Sequence, residues 1–348
     1  MNRMTIETDI TKMFGIKAPI FGAPMGPFYT TDLTIAICEA GGLGVLSHVG
    51  LSNTDPVEEM KKNMERVVEH TDKPFGFNIR TSRMEPYSYS LCTEIPEFIM
   101  NNEKIKKQCI YALTSAGSSK MLANSESFQE LKNSGSSIKN FHVAPAPWLV
   151  AKCVAANIDG VVVTGSEGGG HQSYEGISTL VLLQQIKQQF PNLPMIAAGG
   201  FATGESLAAA LTLGAGAVAM GSRFIASKES EFHDTYKNVI PPAKAQDTIM
   251  ATGVFGPIRL WKNAYAQKHT LVADKEEKMA QETGLTQDDI LDTIRAYEIA
   301  YEGNVKDGAV LLGQSIGLID SIDEVTAIME RIVKDAEDAV KNVASWIK

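Results

Sequence analysis

The segment Gly165-Ser166-Glu167-Gly168-Gly169-Gly170-His171 has residue types that could do chemistry together. Consecutive glycines lack Cβ atoms, so the chain reaches positive φ and its main chain can approach a flat ligand closely. The histidine that follows has an ordinary pKa near neutrality, which suits proton transfer at working pH. Side chains are stripped away and one imidazole is then presented, as at a catalytic edge beside a bound cofactor. A flexible glycine turn followed by an incidental histidine fits the same residues equally well. Two more glycine segments bear on the choice: Ala197-Ala198-Gly199-Gly200-Phe201-Ala202-Thr203-Gly204 and Met220-Gly221-Ser222-Arg223-Phe224. Bare main-chain amides at such turns suit a phosphate, whose oxygens a Cβ would hold off. Either segment alone reads as a turn that needs positive φ; both together favour phosphate binding.

These segments need elements to hold them, and each follows a short apolar run. The candidate strands are Pro19–Ala23, Leu43–Leu46, Phe75–Ile79, Cys109–Leu113, Asn140–Ala144, Gly160–Val163, Met195–Ala198 and Ala217–Met220. Helical patterns alternate with them, as at Asp32–Ala40, Pro147–Asn157, Thr179–Phe190 and Glu205–Leu213. Such alternation implies parallel strands joined by right-handed crossovers. The pattern predicts an α/β chain, a (β/α)8 TIM barrel with a helical insertion subdomain after the last barrel strand. In that architecture, chemistry gathers at the C-terminal strand ends, and the last two loops commonly hold a phosphate. At the end of the first strand, Pro24 stops the ladder and leaves a rigid ledge of small residues. Asn78 closes the third strand, where its amide either bonds a cofactor or caps the following loop.

The organisation reads as a barrel over 1–225, a helical insertion over 226–303 covering the active-site end, and a returning segment and helix over 304–348. Thr81–Lys107 is a long connection, functional or helical in part. Thr286-Gln287-Asp288-Asp289 reads as a capping box opening a helix toward Tyr301. Ser321-Ile322-Asp323-Glu324 reads as the cap of a last helix, with Val325, Ile328, Ile332, Ala336, Val340 and Val343 as its packing stripe.

With 348 residues, 44% hydrophobic and 21% charged, the chain is long enough for a sizeable core. A net charge of −9 excludes a nucleic-acid surface, though not a phosphorylated cofactor held by main-chain amides. Cys38, Cys92, Cys109 and Cys153 are widely spread, which gives no metal-site signature and fits a reducing compartment. No apolar run has the length of a membrane span, and no signal core opens the chain, so a cytoplasmic enzyme is expected. His48, His70, His233 and His269 read as solvated, and His142 as packed within a strand.

Taken in order, Ala23-Pro24-Met25-Gly26, Ala40-Gly41-Gly42-Leu43-Gly44, Pro74-Phe75-Gly76-Phe77-Asn78, Glu167–His171, Ala197–Gly200, Met220–Phe224 and Gly313-Gln314-Ser315 resemble the nitronate monooxygenase (2-nitropropane dioxygenase) family. FMN-dependent enoyl-ACP reductases and some NADH:quinone reductases share that scaffold. The resemblance implies FMN as cofactor, with main chain at Ala23, Pro24 and Met25 along the flavin ring. Asn78 would bond the cofactor, Thr164 and Gly169 would line it, and Gly199, Gly200, Met220, Gly221 and Ser222 would surround its phosphate. His171 matches the family's catalytic histidine, which takes a proton from the carbon beside a nitro group or orients the nitronate. The implied activity is FMN-dependent oxidation of alkyl nitronates, a small-molecule substrate, with O2. The alternative is an NAD(P)H-dependent FMN reductase of an enoyl thioester or a quinone, and either fits a homo-oligomer. Gln172-Ser173-Tyr174 after the histidine, Gly168 before it and Thr164 depart from the family's usual residues, so substrate identity does not carry over. A barrel binding a sugar phosphate without flavin would need a Lys, Glu or Asp at a strand end. Glu167 is the candidate for that, but it is better placed to support the glycine loop.

Overall fold

Short apolar runs separated by helices leave parallel pairing as the only economical arrangement, because each helix returns the chain to the same end of the sheet. The computed structural model describes residues 6–347, apart from 83, 255, 270, 272, 273, 275, 278, 279, 281–283 and 285. Its strands are β1 (Ile20–Gly22), β2 (Val45–Leu46), β3 (Phe75–Arg80), β4 (Cys109–Ser115), β5 (Lys139–Ala144), β6 (Gly160–Thr164), β7 (Gly170–His171), β8 (Met195–Ala198) and β9 (Ala217–Met220). All but β7 form one parallel sheet in the order β1-β9-β8-β6-β5-β4-β3-β2. A parallel bridge between Phe21 and Leu43 closes it, with Leu43 N–H donating to Ile20 O and Gly22 N–H to Leu43 O, both at 3.0 Å. The chain is a TIM barrel, with the predicted strands in their predicted order.

Alternation along each strand sorts side chains into two layers. Phe21, Val45, Tyr111, Leu113, Phe141, Val162, Ile196 and Ala219 fill the interior together with Phe14. Phe14 ends the helix Asp9–Phe14, which plugs the bottom of the barrel. Its ring stands edge-on to Phe21 and Tyr111 at 5.6 and 5.3 Å between centroids. Ile20, Val161, Val163, Met195, Ala197, Val218 and Met220 face outward into the layer packed by the surrounding helices. The same alternation puts Asn78 and Arg80 on the inner face of β3, since Phe77 and Ile79 belong to the outer layer.

The 226–303 segment contains the expected helix, Gln287–Tyr301, opened by the Thr286–Asp289 capping box. It also contains a hairpin that the pattern did not reveal: β10 (Thr248–Gly253) and β11 (Gly256–Trp261), antiparallel, with β11 pairing onward to β7. The long connection after β3 is largely helical, at Ser88–Met100 and Glu103–Gln108.

The last helix, Val325–Ala344, buries Val325, Ile328, Ile332 and Ala336, while Val340 and Val343 lie exposed beyond the packed face. Its N-terminus is capped from a distance. Both carboxylate oxygens of Glu229 accept from Val325 N–H, at 3.0 and 3.1 Å, whereas Ser321 Oγ donates to Asp323. No helix among the described residues is long and apolar enough to cross a membrane.

Candidate active site

The loop leaving β6 is held by main-chain contacts that tolerate only glycine. A Cβ on Gly165 would lie 2.1 Å from Thr179 N, and one on Gly169 would lie 2.6 Å from Gly313 N. Glu167 braces the loop from within. Its carboxylate accepts from Thr179 N–H and lies 2.9 Å from Thr179 Oγ1, which also lies 2.9 Å from Gly199 O. Gln314 N–H donates to Glu167 O at 2.8 Å, and Gly313 N–H donates to Ser222 Oγ at 3.0 Å. The loops after β6, β8 and β9 and the 313–315 segment are thereby tied into one unit. Glu167 supports the glycine loop, and no reacting group is needed to explain its position.

His171 stands on β7, opposite Ile258 of β11, while Gly170 stands opposite Arg259. Arg259 is buried, donating from Nε to Ser166 O at 2.8 Å and from Nη1 to Thr248 Oγ1 at 3.1 Å. Gln172 donates from its N–H to Pro257 O and from Nε2 to Gly168 O, both at 2.8 Å. The imidazole therefore rides on a strand fixed from both sides. Burial, aided by the Arg80 cation, pushes its pKa down to about 4, so the ring is neutral at working pH. A neutral imidazole can accept a proton or a hydrogen bond from a substrate.

Across the barrel mouth, the end of β1 forms the expected ledge. Ala23 N–H donates to Met220 O at 3.0 Å and Met25 N–H donates to Ser47 Oγ at 2.8 Å, while Pro24 has no N–H. The ledge thus presents carbonyls and carbon surface to a neighbour, with its N–H groups already engaged. Met220 points its side chain into the outer layer, leaving only its main chain at the mouth. Asn78 is buried and donates from Nδ2 to Leu113 O and Ser115 Oγ, at 3.0 and 3.1 Å. Its carbonyl Oδ1 lies 3.5 Å from Ser115 Oγ, a long contact that a ligand donor could replace. Thr164 ends β6 on the inner face, with Oγ1 3.2 Å from where a Cβ on Gly168 would lie.

Gly199 and Gly200 adopt left-handed φ of 82° and 92°, which glycine alone takes without strain. Among the described residues a Cβ on Gly221 would meet only Ala23 Cβ, at 3.7 Å, so the space over the paired ends of β9 and β1 is open. Every predicted site residue lies at this one end of the barrel.

His48 corrects the sequence reading. It is fully buried, and its Nδ1 accepts the Arg80 N–H at 3.1 Å. Its Nε2 lies 3.7 Å from Glu85 Oε1, and the other Glu85 oxygen pairs with Arg80 Nη2 at 2.7 Å. Burial, with Arg80 adding, holds its pKa well below the usual imidazole value. The sequence separates His48, Arg80 and Glu85 across two loops, so nothing in its pattern joined them. The available signal was strand alternation, which places Arg80 on the face of Asn78. The remaining histidines divide more nearly as expected. His70 is exposed, and exposed His233 caps the helix Asp234–Asn238 by accepting Thr235 N–H. His269 is instead half-buried against Tyr265, and His142 is packed with Nδ1 2.7 Å from Thr114 Oγ1.

The TIM barrel thus gathers glycine turns and the neutral imidazole of His171 at one mouth, the end where such barrels carry out their chemistry. The comparisons agree. The family model described as nitronate monooxygenase matches residues 7–335, and the chain belongs to that family of flavin-dependent oxidoreductases. FabK from Thermotoga maritima has 31% sequence identity and a TM-score of 0.81, covering 99% of this chain and 100% of that one. A (3aS,4S,5R,7aS)-5-hydroxy-7a-methyl-1-oxo-octahydro-1H-indene-4-carboxyl-CoA dehydrogenase of Mycobacterium tuberculosis is 28% identical, over 99% of this chain and 100% of its own. A probable nitronate monooxygenase of Staphylococcus saprophyticus is 27% identical, over 96% of this chain and 99% of its own. The chain is an oxidoreductase.

Proposed function

We propose that the chain binds FMN and oxidises alkyl nitronates with O2, with His171 as its proton-handling residue. The observation that carries this reading is a neutral imidazole, fixed on β7, directly after a glycine loop locked to the neighbouring strand ends. The mouth suits a flavin nucleotide. Ala23, Pro24 and Met25 offer a ledge free of competing N–H donors for a flat ring, and Asn78 brings a carbonyl whose long contact with Ser115 Oγ, at 3.5 Å, a donor on the ring could displace. Thr164 and Gly169 border the ring's other side. Gly199, Gly200, Gly221, Ser222 and the main chain of Met220 frame an opening where a Cβ would intrude on a phosphate.

Bound FMN would supply the electron acceptor, a chemistry that no side chain here offers. His171 takes the proton from the carbon beside a nitro group, or holds the nitronate already formed. Burial that lowers its pKa to about 4 leaves the ring neutral but a weaker base than the sequence led one to expect, which favours holding the nitronate already formed. Arg259 and Gln172 hold in place the loop and strand that carry it.

A second reading is an NAD(P)H-dependent reductase of an enoyl thioester or quinone, favoured by the likeness to FabK at 31% identity. The same histidine would then protonate or position the thioester. Anaerobic mixing of the FMN-loaded protein with propyl-2-nitronate, NADH, NADPH and an enoyl-CoA separates the two. Bleaching of the flavin by the nitronate and not by a nicotinamide is the expected result. Bleaching by NADH or NADPH alone would replace this reading with the second. A protein unable to take up FMN would end both.

We further propose the division into a barrel over 1–225, an insertion over 226–303 and a returning segment over 304–348. A cytoplasmic setting is proposed with it, in keeping with the buried free thiols of Cys38, Cys92, Cys109 and Cys153. Sedimentation of the purified chain tests the homo-oligomer that either reading allows.

A further inference from the structure

Arg80 stands above Asn78 on the inner face of β3, at the lip of the mouth, with its side chain 22% exposed. A glycine at position 50 makes room for it, since a Cβ there would fall 2.7 Å from Arg80 Nη2. Its N–H donates to His48, its carbonyl accepts from Ser88 Oγ at 2.9 Å, and Nη2 pairs with Glu85. The guanidinium is therefore fixed in direction. Yet Nε is buried and has no hydrogen-bond partner among the described residues. A buried charged donor without an acceptor is costly, and a single carboxylate engages only part of a guanidinium's donor set. The charge of Arg80 is felt at His171 on β7 and at Tyr297 on the helix Gln287–Tyr301.

We propose that Arg80 is the specificity-determining residue of this mouth: its guanidinium takes an oxygen of a planar anion whose carbon faces His171. The inference rests on the proposed function and names its substrate class, the anionic nitronate in preference to the neutral nitroalkane. A planar two-oxygen anion matches the fork of a guanidinium, as a lysine's point charge would not. Glu85 aims the group, and His48, kept neutral beneath it, adds no second cation to compete.

Nitrate, trigonal and planar like a nitronate head group, is the probe. In the FMN-loaded protein, calorimetric titration with nitrate and steady-state kinetics with propyl-2-nitronate are compared across Arg80→Gln, Arg80→Lys and Glu85→Gln. Arg80→Gln should weaken nitrate binding and raise KM by about 10-fold or more, with kcat moving less. Arg80→Lys should fall between wild type and Arg80→Gln. Glu85→Gln, which removes the competing carboxylate, should leave nitrate binding as strong or stronger. Equal weakening by Arg80→Gln and Glu85→Gln would reduce the pair to a loop brace and overturn the proposal. Unchanged nitrate binding in Arg80→Gln would do the same. Should wild type fail to oxidise nitronates while nitrate binding still depends on Arg80, the proposed function falls and the anion anchor stands.

Discussion

On the β6, β8 and β9 side of the mouth, main chain packs against main chain. Gly165 lies against Thr179, Gly169 against Gly313, and Ser222 accepts from Gly313. On the β2 and β3 side, long charged and polar side chains do the work: Arg80 reaches Glu85, and Glu85 faces the buried ring of His48. The first construction is rigid because each added atom would strike backbone, which cannot rotate aside. The second owes its shape to rotamers and charge, so it can be retuned by single substitutions without disturbing the barrel. On the proposed reading, the rigid side would hold the cofactor while the opposite wall is altered to suit different substrates.

The sharpest break of that comparison is at the imidazole shared by both sides. His171→Ala should lower turnover by about 10²-fold or more while FMN content and Tm stay near wild type. Stopped-flow reduction by nitronate reads it, and unchanged turnover would remove the histidine from the mechanism. The next effect separates glycines that only look alike. Gly165→Ala should cost about 1–3 kcal/mol and lower FMN retention, because its Cβ would lie 2.1 Å from Thr179 N. Gly168→Ala meets side chains instead, Gln172 Nε2 at 3.0 Å and Thr164 Oγ1 at 3.2 Å, and should be nearly neutral in Tm. Equal losses in the two variants would show that backbone collision is not what makes the loop rigid.

The glycine side was largely legible in the sequence, and the charged side was not. Strands buried on both faces read as continuous apolar runs, which is why Gly160–Thr164 and Ala217–Met220 declared themselves. Glycine motifs are local, so Gly165–Gly170 and Gly199–Gly200 could be found without knowing what they touch. By contrast, β7 is only the pair Gly170–His171, and its partner β11 comes from the insertion. A strand that short leaves no period to detect. His48 looked solvated because polarity was judged one residue at a time, yet Arg80 and Glu85 enclose it from another loop. Glu229 capping Val325 is likewise a contact across distant sequence, whereas the Thr286–Asp289 box is local and was readable.

The smallest effect tests whether the two sides communicate electrostatically. Burial is the main cause that lowers His171 to about 4, and the Arg80 cation is the second. In 13C-imidazole NMR, His171 should stay neutral down to pH 5, and Arg80→Gln should move its titration upward by less than a full unit. The sign for stability follows from the same shift. His171 and His142, both lowered to about 4 by burial, bind protons later than the unfolded chain does as pH falls. Stability is therefore fully present above about 6.5 and is lost progressively as pH falls toward 4. Arg80→Gln should soften that acid loss slightly, because a less depressed His171 differs less from its unfolded counterpart. A titration of His171 that does not move in Arg80→Gln would mean that the two walls of the mouth act independently, with burial alone keeping the ring neutral.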